Sequence, residues 1–71
     1  MSINIKRRFL ESQVGPVAAM TSDEWLDCAV KLDDEARDYL AMGDTMVAQR
    51  TFDACRLYMD TAEMKSQLER S

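Results

Sequence analysis

The pair Gly43-Asp44 constrains the fold of this chain more than any other feature, because it separates two segments with helical spacing of apolar residues. The recurring positions are Trp25, Cys28, Leu32, Ala36 and Tyr39 before the pair, and Ala48, Phe52, Cys55, Met59 and Ala62 after it. Steps of three and four place such residues on one face of an α-helix. Gly43 can end the first helix in the left-handed conformation, and Asp44 can cap the next. The sequence therefore predicts helices over residues 22–42 and 44–70, folded back as an antiparallel hairpin.

The two stripes also predict which residues meet inside the hairpin. Turning the chain at Gly43 brings Cys28 opposite Met59 and Leu32 opposite Cys55, so that large side chains tend to face small ones. We therefore predict that all the stripe residues form the hairpin core. In this register the two cysteines lie about one helical turn apart on axes roughly 8–10 Å apart. A disulfide needs Cα atoms within about 7 Å, so both are expected to be small, unbridged core residues.

A helix start is encoded just before Ser22. Thr21 and Glu24 have the spacing of a capping box, in which each side chain accepts a hydrogen bond from the other residue's free backbone N–H. Met20 and Trp25 occupy the two positions of a hydrophobic staple around the same cap. These features agree on a helix that begins near residue 22.

The residues before this cap predict a short helix and a linker. Ile5 and Phe9 are four residues apart, which together with a second apolar pair indicates an amphipathic helix over about residues 3–14. Gly15-Pro16 then breaks the pattern, so residues 15–21 are expected to form a linker. Together with the hairpin, this helix gives an all-α fold.

At 71 residues the chain is expected to form a single domain, over residues 1–71, with a small core. Cores of this size supply only about 3–5 kcal/mol unless disulfides, metal ions or oligomerisation add to them. The chain has no histidine and only two cysteines, so we expect no metal site and no cofactor. Association with another chain is therefore the expected support. The N-terminus has no apolar run behind its charges and no segment is apolar enough to span a membrane, which predicts a soluble cytoplasmic protein.

Charge is distributed unevenly along the chain. Residues 1–20 carry three basic residues against one acid, residues 21–44 carry eight acids against two bases, and the rest is balanced. On the first hairpin helix, four aspartates fall within about 60° of one another at 100° per residue: Asp23, Asp27, Asp34 and Asp38. Most charge runs are simply solvated surface, and the functional alternative is a docking patch for a basic protein surface. An acidic middle argues against nucleic acid as the main partner.

The second hairpin helix carries a further apolar face. Its residues are Met46, Val47, Ala54, Leu57, Tyr58, Met64 and Leu68. A helix that is apolar on most of its circumference is normally buried. One explanation is that the N-terminal helix covers part of this face with Ile5, Phe9 and Leu10. The other is a homodimer in which two copies pack these faces as a helical bundle; the two are compatible, because a short helix cannot cover the whole length.

The stretch from Ala36 to Cys55 resembles the central part of a tetratricopeptide repeat. The spacing of Ala36, Tyr39, Gly43, Ala48, Phe52 and Cys55 matches the small and aromatic positions of that motif around its turn. Leu32 stands where the motif has its early Trp, and Asp60 where it has Pro. The resemblance implies a helical hairpin and protein binding. Such repeats need about three copies for stability and this chain has room for one hairpin, so we interpret the likeness as a shared solution to hairpin packing.

The size and layout, with "GDTMVAQR" at residues 43–50, are also similar to small phage-encoded inhibitors of host regulators, including quorum-sensing anti-activators. That similarity implies a function and carries over no residue roles. The sequence contains no nucleophile beside a base, no phosphate-binding loop and no calcium-loop spacing, so we expect no enzyme.

The first hypothesis is thus an inhibitor or anti-activator that binds a cellular regulator, which is conceivably a DNA-binding protein. The second is a structural or chaperone-like assembly subunit. The third is a small nucleic-acid-binding protein that uses Lys6, Arg7 and Arg8.

Overall fold

The computed structural model describes residues 3–70, and the regular structure of that part is helical throughout. Helix α1 spans Ile3–Val14, a 3-10 turn spans Val17–Ala19, α2 spans Ser22–Ala41 and α3 spans Thr45–Arg70. The predicted all-α class is confirmed. The helix ends lie within one residue of the predicted bounds, and the predicted linker contains the 3-10 turn.

The start of α2 is fixed by the predicted capping box. The Glu24 backbone N–H donates to Thr21 Oγ1 at 3.2 Å, and the Thr21 backbone N–H donates to Glu24 Oε1 at 3.0 Å. These two bonds satisfy two backbone donors that the first helical turn leaves without partners. The bond from the Thr21 backbone, together with that to its hydroxyl, lowers the pKa of Glu24 below its ordinary value.

The turn between α2 and α3 uses Gly43 in the left-handed region, with φ of 84°. The Asp44 N–H donates to the Tyr39 carbonyl at 2.9 Å, and the Gly43 N–H donates to the Leu40 carbonyl at 3.0 Å. This pair of bonds is a Schellman motif, which satisfies the last carbonyls of α2. Asp44 then caps α3, since its Oδ1 accepts from the Val47 N–H at 3.3 Å.

Gly43→Ala is expected to lower the free energy of unfolding by about 1–2 kcal/mol, the cost of a left-handed conformation for a residue with a Cβ. A Cβ at this position would meet no atom within 4 Å, so the cost comes from the backbone alone. Gly43→Asn should cost less, because asparagine tolerates this region. Urea titration followed by circular dichroism measures both. Equal stability of the Ala and Asn variants would contradict the backbone explanation.

Helices α2 and α3 pack together through small residues. Ala29, Ala36 and Ala48 have no exposed surface, and the Cys55 thiol donates to the Ala29 carbonyl at 3.1 Å. The ring centroids of Trp25 and Tyr58 lie 5.8 Å apart. An early residue of α2 thus contacts a late residue of α3, as a chain that reverses at Gly43 requires.

The predicted pairing inside this interface is wrong by about one helical turn. Cys55 lies against Ala29 instead of Leu32, because a fully buried alanine lets the α3 side chain approach the α2 backbone. Met59 is 50% exposed and does not belong to the core. Its neighbour Tyr58 packs on Trp25, and adjacent residues of a helix point about 100° apart, so Met59 turns towards solvent.

The other predicted core residues divide between buried and half-buried. Trp25, Ala36, Ala48, Cys55 and Ala62 are buried, whereas Cys28, Leu32, Tyr39 and Phe52 are half-buried. Both cysteines are free thiols. Burial, with the nearby Asp33 carboxylate as a lesser cause, raises the pKa of the Cys55 thiol, which keeps it protonated as a donor to Ala29.

A second core lies on the side of α3 away from α2. Leu10 of α1, Val17 of the 3-10 turn and Met64 of α3 are buried against one another, with Leu57 and Leu68 packed around them. At 3.6 residues per turn, Leu57 and Met64 lie on the opposite side of α3 from Cys55 and Ala62. Helix α3 is therefore the central element, with α2 on one side and α1 on the other.

Candidate functional site

The four predicted aspartates form an exposed row along the outer side of α2. Asp23, Asp27, Asp34 and Asp38 are all exposed, and the neighbouring Asp33 pairs with Arg37 at 2.9 Å. Two large apolar side chains lie within or beside the row: Val30 is 51% exposed and Leu26 is 46% exposed. We call these six residues, Asp23, Leu26, Asp27, Val30, Asp34 and Asp38, the α2 outer face. Solvated charge alone does not account for it, because it also exposes apolar surface.

The apolar face predicted on α3 for a dimer or partner is only partly available. Met64 is 3% exposed because Leu10 and Val17 cover it, so its assignment to a free surface is wrong. Met46 is 67% exposed. The remaining members are half-buried: Val47, Ala54, Leu57, Tyr58 and Leu68. The explanation based on the N-terminal helix therefore holds for the C-terminal half of this face.

The N-terminal segment is held at a junction that the sequence did not indicate. The indole N–H of Trp25 donates to the Val17 carbonyl at 2.9 Å, and the Val17 N–H donates to Glu11 Oε2 at 2.8 Å. Glu11 also pairs with Arg7 across one helical turn at 3.6 Å. These bonds satisfy both backbone groups of the buried Val17 and connect α1, the 3-10 turn and α2.

The outer side of α1 exposes the two apolar residues that were predicted to pack inward with Leu10. Ile5 and Phe9 are each 57% exposed, whereas Leu10 is 1% exposed. Phe9 and Leu10 are adjacent and point about 100° apart on the helix, so only one of them can face α3. Lys6 and Arg8 are exposed as well. We call Ile5, Lys6, Arg8 and Phe9 the α1 outer face.

Two open grooves run along the boundary between α2 and α3. One, of about 290 Å³, is lined by Ser22, Asp23, Leu26, Met59, Ala62, Glu63 and Ser66. The other, of about 380 Å³, is lined by Cys28, Lys31, Leu32, Ala54 and Tyr58. Neither brings a nucleophile together with a base and an orienting group, which is the arrangement that covalent catalysis needs. Within residues 3–70, no group of three or more Cys, Asp or Glu residues is placed to hold a metal ion.

The chain matches no protein-family model, and searches find no similar sequence among curated proteins and no similar fold among solved structures. Any function must therefore be inferred from its own surfaces. Among residues 3–70, no helix has the length and apolar character needed to cross a membrane. The surface features that remain are the α2 outer face, the α1 outer face and the exposed hinge end near Met46.

Proposed function

We propose that this chain binds another protein through the α2 outer face and acts without catalysis. The observation that carries the proposal is the combination of charge and apolar surface on that face. Asp23, Asp27 and Asp34 surround Leu26 and Val30, whose side chains are about half exposed. Like charges on one helix face repel one another, so the arrangement contributes little to the isolated fold. It suits a partner with basic groups around an apolar centre, since charge steers encounter and apolar contact adds affinity.

The biological role that fits such a face best is inhibition of a regulator whose working surface is basic. An acidic helix can occupy a surface that otherwise binds nucleic acid, because both present a row of negative charge. The similarity of residues 43–50 to phage-encoded anti-activators supports the same role. The protein would then block its target by occupying it.

A second candidate is an assembly or chaperone-like subunit, supported by the hinge end of the molecule. Met42 and Met46 are 70% and 67% exposed on either side of Gly43, and Leu40 is 48% exposed. Methionine side chains are flexible and adapt to different apolar partners. A larger complex that covers this end would shield these side chains from water.

The charge of the α2 outer face is expected to decide partner capture. Replacing Asp27, Asp34 and Asp38 by Asn should leave helicity unchanged and raise stability slightly, because it removes the Asp34–Asp38 repulsion, worth about 0.2–0.5 kcal/mol. The same variant should lose at least tenfold of its partner in affinity capture from nuclease-treated lysate, read out by mass spectrometry. The loss should grow weaker at high salt, where charge steering is screened.

The matched control removes three exposed acids elsewhere: Glu35→Gln, Asp53→Asn and Glu69→Gln. It changes net charge equally and should capture the partner as the unsubstituted chain does. Equal capture by both variants would contradict the α2 outer face as the binding site. Loss of capture only on substitution of Met42 and Met46 by Ser would favour the assembly subunit.

A further inference from the structure

We infer that the α1 outer face of one copy docks on the α2 outer face of a second copy, forming a reciprocal homodimer. Each face centres on two large apolar side chains one helical turn apart. On α1 these are Ile5 and Phe9, each 57% exposed, and on α2 they are Leu26 and Val30, 46% and 51% exposed. Pairs with the same spacing of four residues can lie against each other when two helices pack side by side.

The charges around these apolar pairs have opposite signs. Lys6 and Arg8 flank Ile5 and Phe9 on α1, and both are exposed. Asp23, Asp27 and Asp34 flank the pair on α2. Arg7 is excluded from this set because it pairs with Glu11 on the inner side of α1. Each copy has a net charge of −4, but repulsion between whole molecules is screened beyond about 10 Å at 0.1 M salt, whereas the flanking charges act at contact distance.

The two faces cannot meet within one molecule. Helices α1 and α2 pack on opposite sides of α3, and among the described residues their backbones make no close approach to each other. The complementary faces can therefore be used together only between copies. The molecule is also thin, with extents of 43 × 23 × 16 Å, so that two copies stacked in opposite orientation place each α1 across from the other copy's α2.

A two-fold axis makes this contact twice, which matters for its strength. Stable protein interfaces bury about 1,200–2,000 Å² in total. One α1–α2 contact of four half-exposed side chains falls below that range, and the reciprocal arrangement doubles it. We expect a dissociation constant in the micromolar range, which is typical of small interfaces.

This dimer goes beyond the proposed function and does not depend on it. If both hold, a target must compete with the second copy's α1 for the α2 outer face, so that target binding and dissociation of the dimer are thermodynamically linked. The target segment would then present what α1 presents: an apolar pair between basic residues. The experiment below uses no target, so its failure would leave the proposed function untouched.

The test is sedimentation velocity of the full chain from about 5 to 500 μM, at 0.1 M salt and at about 0.6 M salt, where charge pairs are screened. Variant one carries Lys6→Glu and Arg8→Glu, so that both outer faces are acidic. Variant two carries Asp27→Lys and Asp34→Lys, so that both are basic. Each should be at least tenfold weaker in self-association than the unsubstituted chain. Mixed in equal amounts they should recover the dimer, because each α1 again meets an α2 of opposite charge.

The control variant carries Asp53→Lys and Glu69→Lys, which adds the same charge at exposed positions outside both faces. It should dimerise alone and should form no more dimer with variant one than the general attraction of opposite net charges gives. A fourth variant, Ile5→Ser with Phe9→Ser, keeps every charge and should be monomeric at both salt concentrations. Circular dichroism verifies that each variant is helical.

Three results would overturn the inference. They are a monomeric unsubstituted chain at all concentrations, persistence of the dimer in both charge variants, and equal recovery when variant one is mixed with the control. Persistence in the charge variants would place the dimer on another surface.

Discussion

Trp25→Ala is expected to remove about 3–5 kcal/mol from the free energy of unfolding, the usual cost of deleting a buried aromatic side chain. Trp25 is 2% exposed and lies where α2, α3 and the 3-10 turn meet. It packs on Tyr58 and donates its indole N–H to the Val17 carbonyl. A core of this size supplies only about 3–5 kcal/mol in all. The variant should therefore be largely unfolded at room temperature, which far-UV circular dichroism and urea titration measure directly.

Trp25→Phe separates packing from hydrogen bonding at the same position. It keeps an aromatic ring beside Tyr58 but leaves the Val17 carbonyl without its donor, which costs about 1–3 kcal/mol for a buried group. Its stability should fall between that of the unsubstituted chain and that of Trp25→Ala. If Trp25→Ala unfolds at the same urea concentration as the unsubstituted chain, the junction at Val17 does not support the fold.

The helices could be predicted from the sequence because their determinants are local. The capping box at Thr21 and Glu24 and the left-handed Gly43 each depend on a few neighbouring residues, and the structure contains both. The spacing of apolar residues at three and four predicts a buried side for each helix without reference to the rest of the chain. For the same reason the exposed side of α2, with its four aspartates, followed from the period alone.

The pairing of α2 with α3 could not be predicted in the same way. A stripe with steps of three and four stays apolar when one helix slides by a turn along the other, so the pattern allows more than one register. The choice depends on Ala29, a small residue four positions after Trp25 that did not stand out as apolar bulk. Its full burial beside Cys55 is a tertiary effect. The same applies to Val17, whose burial depends on the distant Trp25.

The orientation of α1 was undetermined because this helix has apolar residues on two sides. Ile5 and Phe9 lie on one side, and Leu10 and Val14 lie on the other. Helical period alone does not say which pair packs on α3. The structure places Leu10 inside and leaves Phe9 exposed, which gives a pair of adjacent positions with opposite expected behaviour.

Leu10→Ala is expected to destabilise the fold by about 2–5 kcal/mol, whereas Phe9→Ala should change stability by no more than about 0.5 kcal/mol. Leu10 is 1% exposed against Val17 and Met64, so its removal leaves a cavity between α1 and α3. Phe9 is 57% exposed, and in the monomer its truncation removes little contact. Both variants should be measured by urea titration at a concentration low enough that self-association adds nothing to stability.

Two probes make this comparison decisive. Far-UV circular dichroism reports on all helices, and the fluorescence of Trp25, the single tryptophan, reports on the junction with Val17. If α1 is part of the cooperative fold, the two transitions of Leu10→Ala should shift together, because loss of α1 also removes the cover from Met64. A variant that loses α1 helicity while its tryptophan transition stays in place would show that α2 and α3 fold without it. Equal stability of Leu10→Ala and Phe9→Ala would contradict the packing of α1 on α3, and with it the exposure of Phe9 on which the α1 outer face depends.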